Sequence, residues 1–182
     1  KDFANDRTLL NADSLVHWEV CQSPSGQWLV PGYDCEGNVR QLYKYIDFGQ
    51  GKRRLLGTPT LGHHVHGVNL FDKDKNIVYL CEGPWDAIAL WEALRFTKEG
   101  EDGYQATGAP SASLLADSNV LAVPGCGSVG RPFMKWLPLF ADKDVLLCFD
   151  NDYPKSVRGK PIPPSGFAAA KRAAGLLMGS ER

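Results

Sequence analysis

Three short apolar runs constrain this chain more than any other feature of its sequence. Ile77-Val78-Tyr79-Leu80, Val120-Leu121-Ala122-Val123 and Val145-Leu146-Leu147-Cys148-Phe149 carry no charge, as strands covered on both faces must not. Between the first two, Pro84 to Arg95 sets Ala87, Ile88, Leu90, Trp91 and Leu94 at helical spacing, and Gly166 to Met178 reads as an alanine-rich helix after the third. Strand and helix alternating in this way predict an α/β fold with a central parallel sheet and crossover helices.

The upstream half has a different grammar. From Val16 to Phe48, aromatic and β-branched residues alternate with polar ones, and Asp34 to Asn38 reads as a turn. This predicts a small, mainly antiparallel β unit. Gly49 to His66 follows as a loop or edge segment, with local positive charge from Lys52, Arg53 and Arg54. Residues 1 to about 16 show no clear period, and the proline-rich, basic stretch Tyr153 to Ser165 is expected to be an exposed loop. The expected organisation is therefore a basic β-rich subdomain over residues 1–72 and an α/β domain over 73–182.

Bulk properties narrow the classes. A length of 182 residues can bury a real core. With 20 basic against 21 acidic residues the formal net charge is -1, so any polyanion-binding surface has to be local. The five cysteines are scattered, with no CxxC pair, which points to reduced thiols and away from a structural zinc. The apolar runs are too short to span a bilayer and the amino end lacks a signal-type stretch, so no membrane partner and a cytoplasmic location are expected. The start at Lys1 and the polar tail are what a piece excised from a longer protein would show.

In an open parallel sheet, ligands bind at the carboxyl ends of the strands. Two of those ends carry acids. Glu82 follows the first run and leads into Gly83, Pro84 and Asp86, and Asp150-Asn151-Asp152 follows the third. An Asp-x-Asp on its own is also what a loop or helix cap looks like. Their joint placement at two buried strand ends is what points to chemistry. Carboxylates converging on one spot raise one another's pKa and persist with a compensating cation. Magnesium takes oxygen ligands and is commonly completed by substrate phosphates, and such a site suits phosphoryl transfer.

With these residues in place, the region from about Ile77 to Met178 resembles a TOPRIM domain, the module shared by primases, type IA and II topoisomerases and several nucleases. Glu82-Gly83 and Asp150-Asn151-Asp152 match its two acidic motifs, and Asp86-Ala87 matches the Asp-Ala of primase versions. Pro124-Gly125-Cys126-Gly127-Ser128 looks like the glycine-bearing loop between them, and Gly166 is expected to start the final helix. The segment upstream is similar to the amino-terminal subdomain of DnaG-type and phage primases.

The resemblance implies a DNA primase core that makes short RNA primers from ribonucleoside triphosphates on a single-stranded DNA template, in a bacterial cell or phage-infected host. It implies Mg2+ or Mn2+ held by Glu82, Asp150 and Asp152, with Asp86 as a secondary acid. It further implies nucleotide or template contacts from Lys44, Lys52, Arg53, Arg54, Gly83, Gly125 and Ser128, with Arg40 behind them, and basic residues facing the metal site across a cleft. A replicative helicase, or further domains of the same polypeptide, is the implied partner. Lys155, Arg158 and Lys160 of the insert are expected to reach nucleic acid.

Other residues invite attention. His63, His64 and His66 lack a nearby cysteine or fourth ligand, so they are expected at the surface or in a cleft as nucleotide contacts rather than as a metal site. Trp91 is expected in the core, Ser128 has no base to activate it, and Lys171 and Arg172 are expected to be exposed. Two other readings remain: a TOPRIM nuclease, and a non-catalytic module that binds single-stranded nucleic acid.

Overall fold

The computed structural model describes residues 12–47, 53–95, 97–100, 103–106, 113–151, 155–157, 160–162 and 164–179. It opens with a short helix, α1 (Ala12–His17), in the stretch where the sequence shows no period. Four strands follow: β1 (Cys21–Gln22), β2 (Trp28–Tyr33), β3 (Val39–Asp47) and β4 (Arg53–Leu56). They form an antiparallel sheet in the order β1-β2-β3-β4. The turn from Asp34 to Asn38 joins β2 to β3, with Gly37 at a φ of 81°, a conformation that costs glycine nothing. Asp34 fastens this turn: its Oδ1 accepts from the Asn38 and Glu36 amides at 2.8 and 3.1 Å, and Arg40 Nε donates to Oδ2 at 2.6 Å. Loss of water pushes the Asp34 carboxyl up, but the Asn38 amide and the Arg40 guanidinium outweigh this and hold it at about 2.

The second half contains β5 (Ile77–Cys81), α2 (Pro84–Arg95), a hairpin of β6 (Thr97–Gly100) and β7 (Gly103–Ala106), β8 (Ser118–Ala122) and β9 (Asp144–Cys148). A second hairpin, β10 (Lys155–Val157) and β11 (Lys160–Ile162), precedes α3 (Ser165–Leu177). The parallel sheet runs β8-β5-β9 with β5 in the centre. The fold is mixed α/β, with an antiparallel sheet beside a three-stranded parallel sheet flanked by helices.

Alternation along the parallel strands divides the core into two clusters. Val78, Leu80, Leu121 and Val123 pack with Phe133, Trp136, Phe140, Ala169 and Ala173 on the face covered by α3 and the segment Arg131–Phe140. Cys81, Val120 and Ala122 pack with Ala87, Ile88 and Leu94 of α2 and with Leu15, Trp18 and Val30 on the other. Both clusters thus draw on both halves of the chain. The sheets are also stitched by backbone, through bridges Tyr33 to Val65 and His66 to Ala122.

Several expectations need correcting. The crossover between β8 and β9 is not an α-helix but a 3-10 segment, Arg131–Phe140, with Pro138 inside it; proline has no N–H to donate and clashes with the preceding turn. β9 is an edge strand rather than a fully covered one, with Leu146 42% exposed. The insert expected as a loop contains the β10–β11 hairpin, and β6–β7 had no counterpart in the sequence pattern. Among the described residues no helix is long and apolar enough to cross a membrane.

Candidate metal and phosphate site at the carboxyl ends of the parallel strands

β5 is flanked on both sides by parallel neighbours, and the chain leaves its carboxyl end toward α2 on one face. It leaves β8 and β9 toward the opposite face, covered by Arg131–Phe140 and α3. Connections diverging in this way open a crevice at the strand ends. Glu82 sits in that crevice. Its backbone continues the ladder, its amide donating to Cys148 O at 3.3 Å while its carbonyl accepts from the Gly125 amide at 2.9 Å.

Asp150 comes to the same point from β9. Its amide donates to Glu82 Oε2 at 3.3 Å, and its own side chain is exposed. The first turn of α3 closes the third side. A Cβ built on Gly166 would stand 2.8 Å from Glu82 Oε2 and 2.9 Å from the Asp150 carbonyl carbon, and closer still to the Asp150 carbonyl oxygen. Only a glycine lets the helix start there. The Glu82 carboxylate consequently lies at the amino end of a 13-residue helix, where the partial positive charge of free amides favours an anion.

The glycines of the turns have separate reasons. Gly125 has φ 106° and ψ 161°, a region essentially restricted to glycine, and this places its amide on Glu82. Gly83 lies under Asp86: a Cβ there would be 3.0 Å from Asp86 Oδ2. Asp86 itself is exposed in the first turn of α2.

Expected phosphate or template ligands divide into those brought near and those that are not. Ser128 is buried and its hydroxyl donates to Gly125 O at 2.5 Å, so it braces the loop instead of presenting itself to a ligand. In the antiparallel sheet, Tyr43 and Tyr45 turn inward, with Tyr43 edge-on to His66 at 4.9 Å and Tyr45 edge-on to Trp85 at 5.1 Å. Lys44 lies between them on the outer face, paired with Leu29 and Leu56, and Arg54 shares that face opposite Ile46. Both cations are exposed. The expectation that they look across a cleft at Glu82 is corrected by the parity of the strand. Arg40 is committed to Asp34. Lys52, Asp152 and Arg158 lie outside the described residues, and of Arg53, Lys155 and Lys160 the structure describes only the strand backbone.

Two of the three histidines are also not where the sequence places them. His66 is fully buried, its Nδ1 donating to Pro31 O at 2.7 Å, while His64 is 7% exposed with Nε2 2.8 Å from Leu61 O. Burial pushes the His66 pKa down to about 4, so the ring is neutral at physiological pH. His63 is exposed and lines a cavity of about 320 Å³ with Tyr43, Thr58 and Pro124. That cavity adjoins the loop leaving β8.

Arg172 was not foreseen as a structural residue. From α3 its guanidinium donates to Cys126 O and Val129 O at 3.2 and 3.3 Å, tying the helix to the glycine-bearing loop. Trp91 is half-buried, stacked on His17 at 4.4 Å with Arg95 above it. One residue before Glu82, Cys81 is paired with Cys148 across the ladder, and the Cys148 thiol donates to Leu146 O at 3.9 Å; the nearness of the two thiols pushes the buried Cys81 thiol up and draws Cys148 down.

Among the described residues, no group of three or more His, Cys, Asp and Glu side chains is arranged to hold a metal. Two oxygen-bearing acids at one crevice nevertheless fit magnesium, which is usually held by one or two carboxylates and completed by water and phosphate oxygens.

No protein-family model matches the chain, and no curated protein matches it. Among solved structures, it is similar to a DNA primase domain from Pseudomonas aeruginosa, at 20% identity and a TM-score of 0.49, over 87% of this chain and 43% of that one. The chain therefore spans less than half the length of that structure.

Proposed function

We propose that the chain is the catalytic core of a DNA primase of TOPRIM type, making short RNA primers on single-stranded DNA by divalent-metal-dependent nucleotidyl transfer. The observation that carries this reading is the meeting of Glu82 and Asp150 at the divergent strand ends, with the Asp150 amide 3.3 Å from the Glu82 carboxylate. Glu82, Asp150 and, by the sequence motif, Asp152 would hold Mg2+ or Mn2+. When bound, the ion supplies charge neutralisation at the triphosphate and lowers the pKa of the attacking 3′ hydroxyl.

The chain's own residues do the positioning. Gly125 and Gly166 fix the Glu82 backbone and carboxylate, and the amino end of α3 adds favourable potential for anionic groups. The cavity beside His63 and Pro124 supports a place for the base of an incoming nucleotide. A replicative helicase or further domains of the same polypeptide would deliver the template strand.

The test supplies the chain with single-stranded DNA, labelled ribonucleotides and Mg2+ or Mn2+, and measures Mn2+ binding alongside. Short RNA products are expected, abolished by chelation and reduced at least about 100-fold by Glu82→Gln or Asp150→Asn. Cleavage of the DNA with the same variant sensitivity would replace this reading with the nuclease. Metal-independent binding of single strands that survives Glu82→Gln would replace it with a non-catalytic module.

A further inference from the structure

By the register of β2, β3 and β4, Leu29, Lys44 and Leu56 stand side by side on the outer face of the antiparallel sheet, and Ile46 stands there beside Arg54. Leu42 shares that face two residues before Lys44, since side chains on one face recur at every second position. Lys44 is thus ringed by four aliphatic side chains, Leu42 and Ile46 along its own strand and Leu29 and Leu56 across from it. None of the four belongs to either core cluster, and Leu42 and Leu56 are 48% and 41% exposed, where the outward side of an antiparallel sheet is ordinarily polar. Lys44 and Arg54 are exposed diagonal neighbours in the β3–β4 pair. Among the described residues neither has an ion-pair partner, and the register places no acid on this face.

From this arrangement we infer that the outer face docks an acidic amphipathic helix of a partner protein, whose aliphatic side chains seat among Leu29, Leu42, Ile46 and Leu56 while its carboxylates meet Lys44 and Arg54. Charge selects this occupant. Two adjacent cations without a counter-charge make a local positive patch on a chain whose net charge is -1. A helix can match their spacing: acids three or four residues apart on one helix face lie about 5–6 Å apart, and diagonal neighbours of an antiparallel pair lie about 7–8 Å apart or less.

The aliphatic ring around Lys44 favours protein over nucleic acid. Surfaces that hold single strands stack bases on aromatic rings, and the tyrosines of β3, Tyr43 and Tyr45, are turned inward. A second copy of this chain fits less well, because a symmetric contact sets one patch against itself and so cation against cation. Once the four aliphatic side chains are covered, the Lys44 ammonium between them loses water, and an occupant without a carboxylate opposite it leaves a stranded charge. The surface therefore discriminates between acidic and neutral helices of the same shape. None of this depends on the chemistry proposed for Glu82 and Asp150.

The experiment titrates the isotope-labelled full chain with a designed helical peptide of about 20 residues, carrying a stripe of leucines with two glutamates one turn apart within it, and follows the backbone amide signals by NMR. Versions with glutamine or lysine in place of the two glutamates are the controls. The expected result is a shift of the signals from Leu42 to Ile46 and from Arg54 to Leu56, with the glutamate peptide bound at least about 10-fold more tightly than the glutamine one. Leu42→Ser, checked for folding by circular dichroism, should weaken binding about 10-fold or more. Lys44→Glu combined with Arg54→Glu should transfer the preference to the lysine peptide. The inference is overturned by a glutamate peptide that moves none of these signals, by equal affinity for all three peptides, or by a charge-reversed protein that still prefers glutamate. Displacement of the peptide from the same residues by oligothymidylate would replace it with a nucleic-acid surface, and concentration-dependent dimerisation through those residues with self-association.

Discussion

Replacing Gly166 with alanine tests whether α3 is pressed against the acid pair. In an ordinary helix this change stabilises by up to about 1 kcal/mol, because glycine is the poorer helix former. Here the new methyl would lie 2.8 Å from Glu82 Oε2 and 2.9 Å from the Asp150 carbonyl carbon. A comfortable carbon–oxygen contact is about 3.3 Å, so the helix or the Glu82 carboxylate has to give by at least about 0.5 Å, and more at the Asp150 carbonyl. Overpacking of this kind costs about 1–3 kcal/mol. Because the nearest neighbour is a backbone oxygen that cannot swing aside, the upper part of that range, about 2–3 kcal/mol, applies; less a propensity gain of about 1 kcal/mol the net loss is about 1–2 kcal/mol, which in a chain of this size lowers the melting temperature by about 2–8 °C. Mn2+ binding should weaken too, since the displaced groups are the proposed ligands. Thermal unfolding by circular dichroism and Mn2+ titration give the two readouts, with Gly127→Ala as a control at a site where a Cβ meets nothing within 4 Å. A Gly166→Ala protein that melts at or above the parent and binds Mn2+ unchanged would refute the close approach.

Three further outcomes are expected. Because the pKa of His66 falls from 6.5 in the unfolded chain to about 4 when folded, the unfolded state binds the extra proton between these values. Stability should thus drop as pH falls from about 6.5 to 4, by up to about 3 kcal/mol, and denaturant titrations of His66→Gln should show that part of the slope gone. Gly125→Ala forces a side chain into a glycine-only conformation and should cost about 1–3 kcal/mol, read as a lower denaturant midpoint and weaker Mn2+ binding. Arg172→Ala removes both donors to the Cys126 and Val129 carbonyls; a loss of about 1–3 kcal/mol is expected, and a midpoint equal to the parent's would show that the tie carries nothing.

What could be read from the sequence was whatever is encoded locally. β5, β8 and α2 follow from unbroken apolar runs and from Ala87, Ile88 and Leu94 at helical spacing, and the Asp34–Asn38 turn follows from its own residue types. Glu82 and Asp150 were legible for the same reason, since each ends such a run. The misread features depend on partners distant in sequence. His66 is buried because Pro31 and Ala122 receive it, and no local pattern around residues 63–66 encodes that. Lys44 faces outward because Tyr43 and Tyr45 have claimed the inner side, a matter of parity that a basic cluster cannot announce. Gly166 was expected at the start of the last helix and is its second residue, yet the need for glycine appears only once Asp150 is set against it. Hairpins β6–β7 and β10–β11 lack the apolar alternation that betrays a strand.

The antiparallel contact between His66 and Ala122 has a practical corollary for anyone trimming this chain. β8 is an outer member of its sheet, and His66 shields its open side by two hydrogen bonds with Ala122, at 2.8 and 3.2 Å. A fragment begun at residue 73 would bare that side along with Val120 and Ala122. Unshielded strand borders recruit other chains, so such a truncation should self-associate, whereas one that keeps Val65 onward retains its own guard rail.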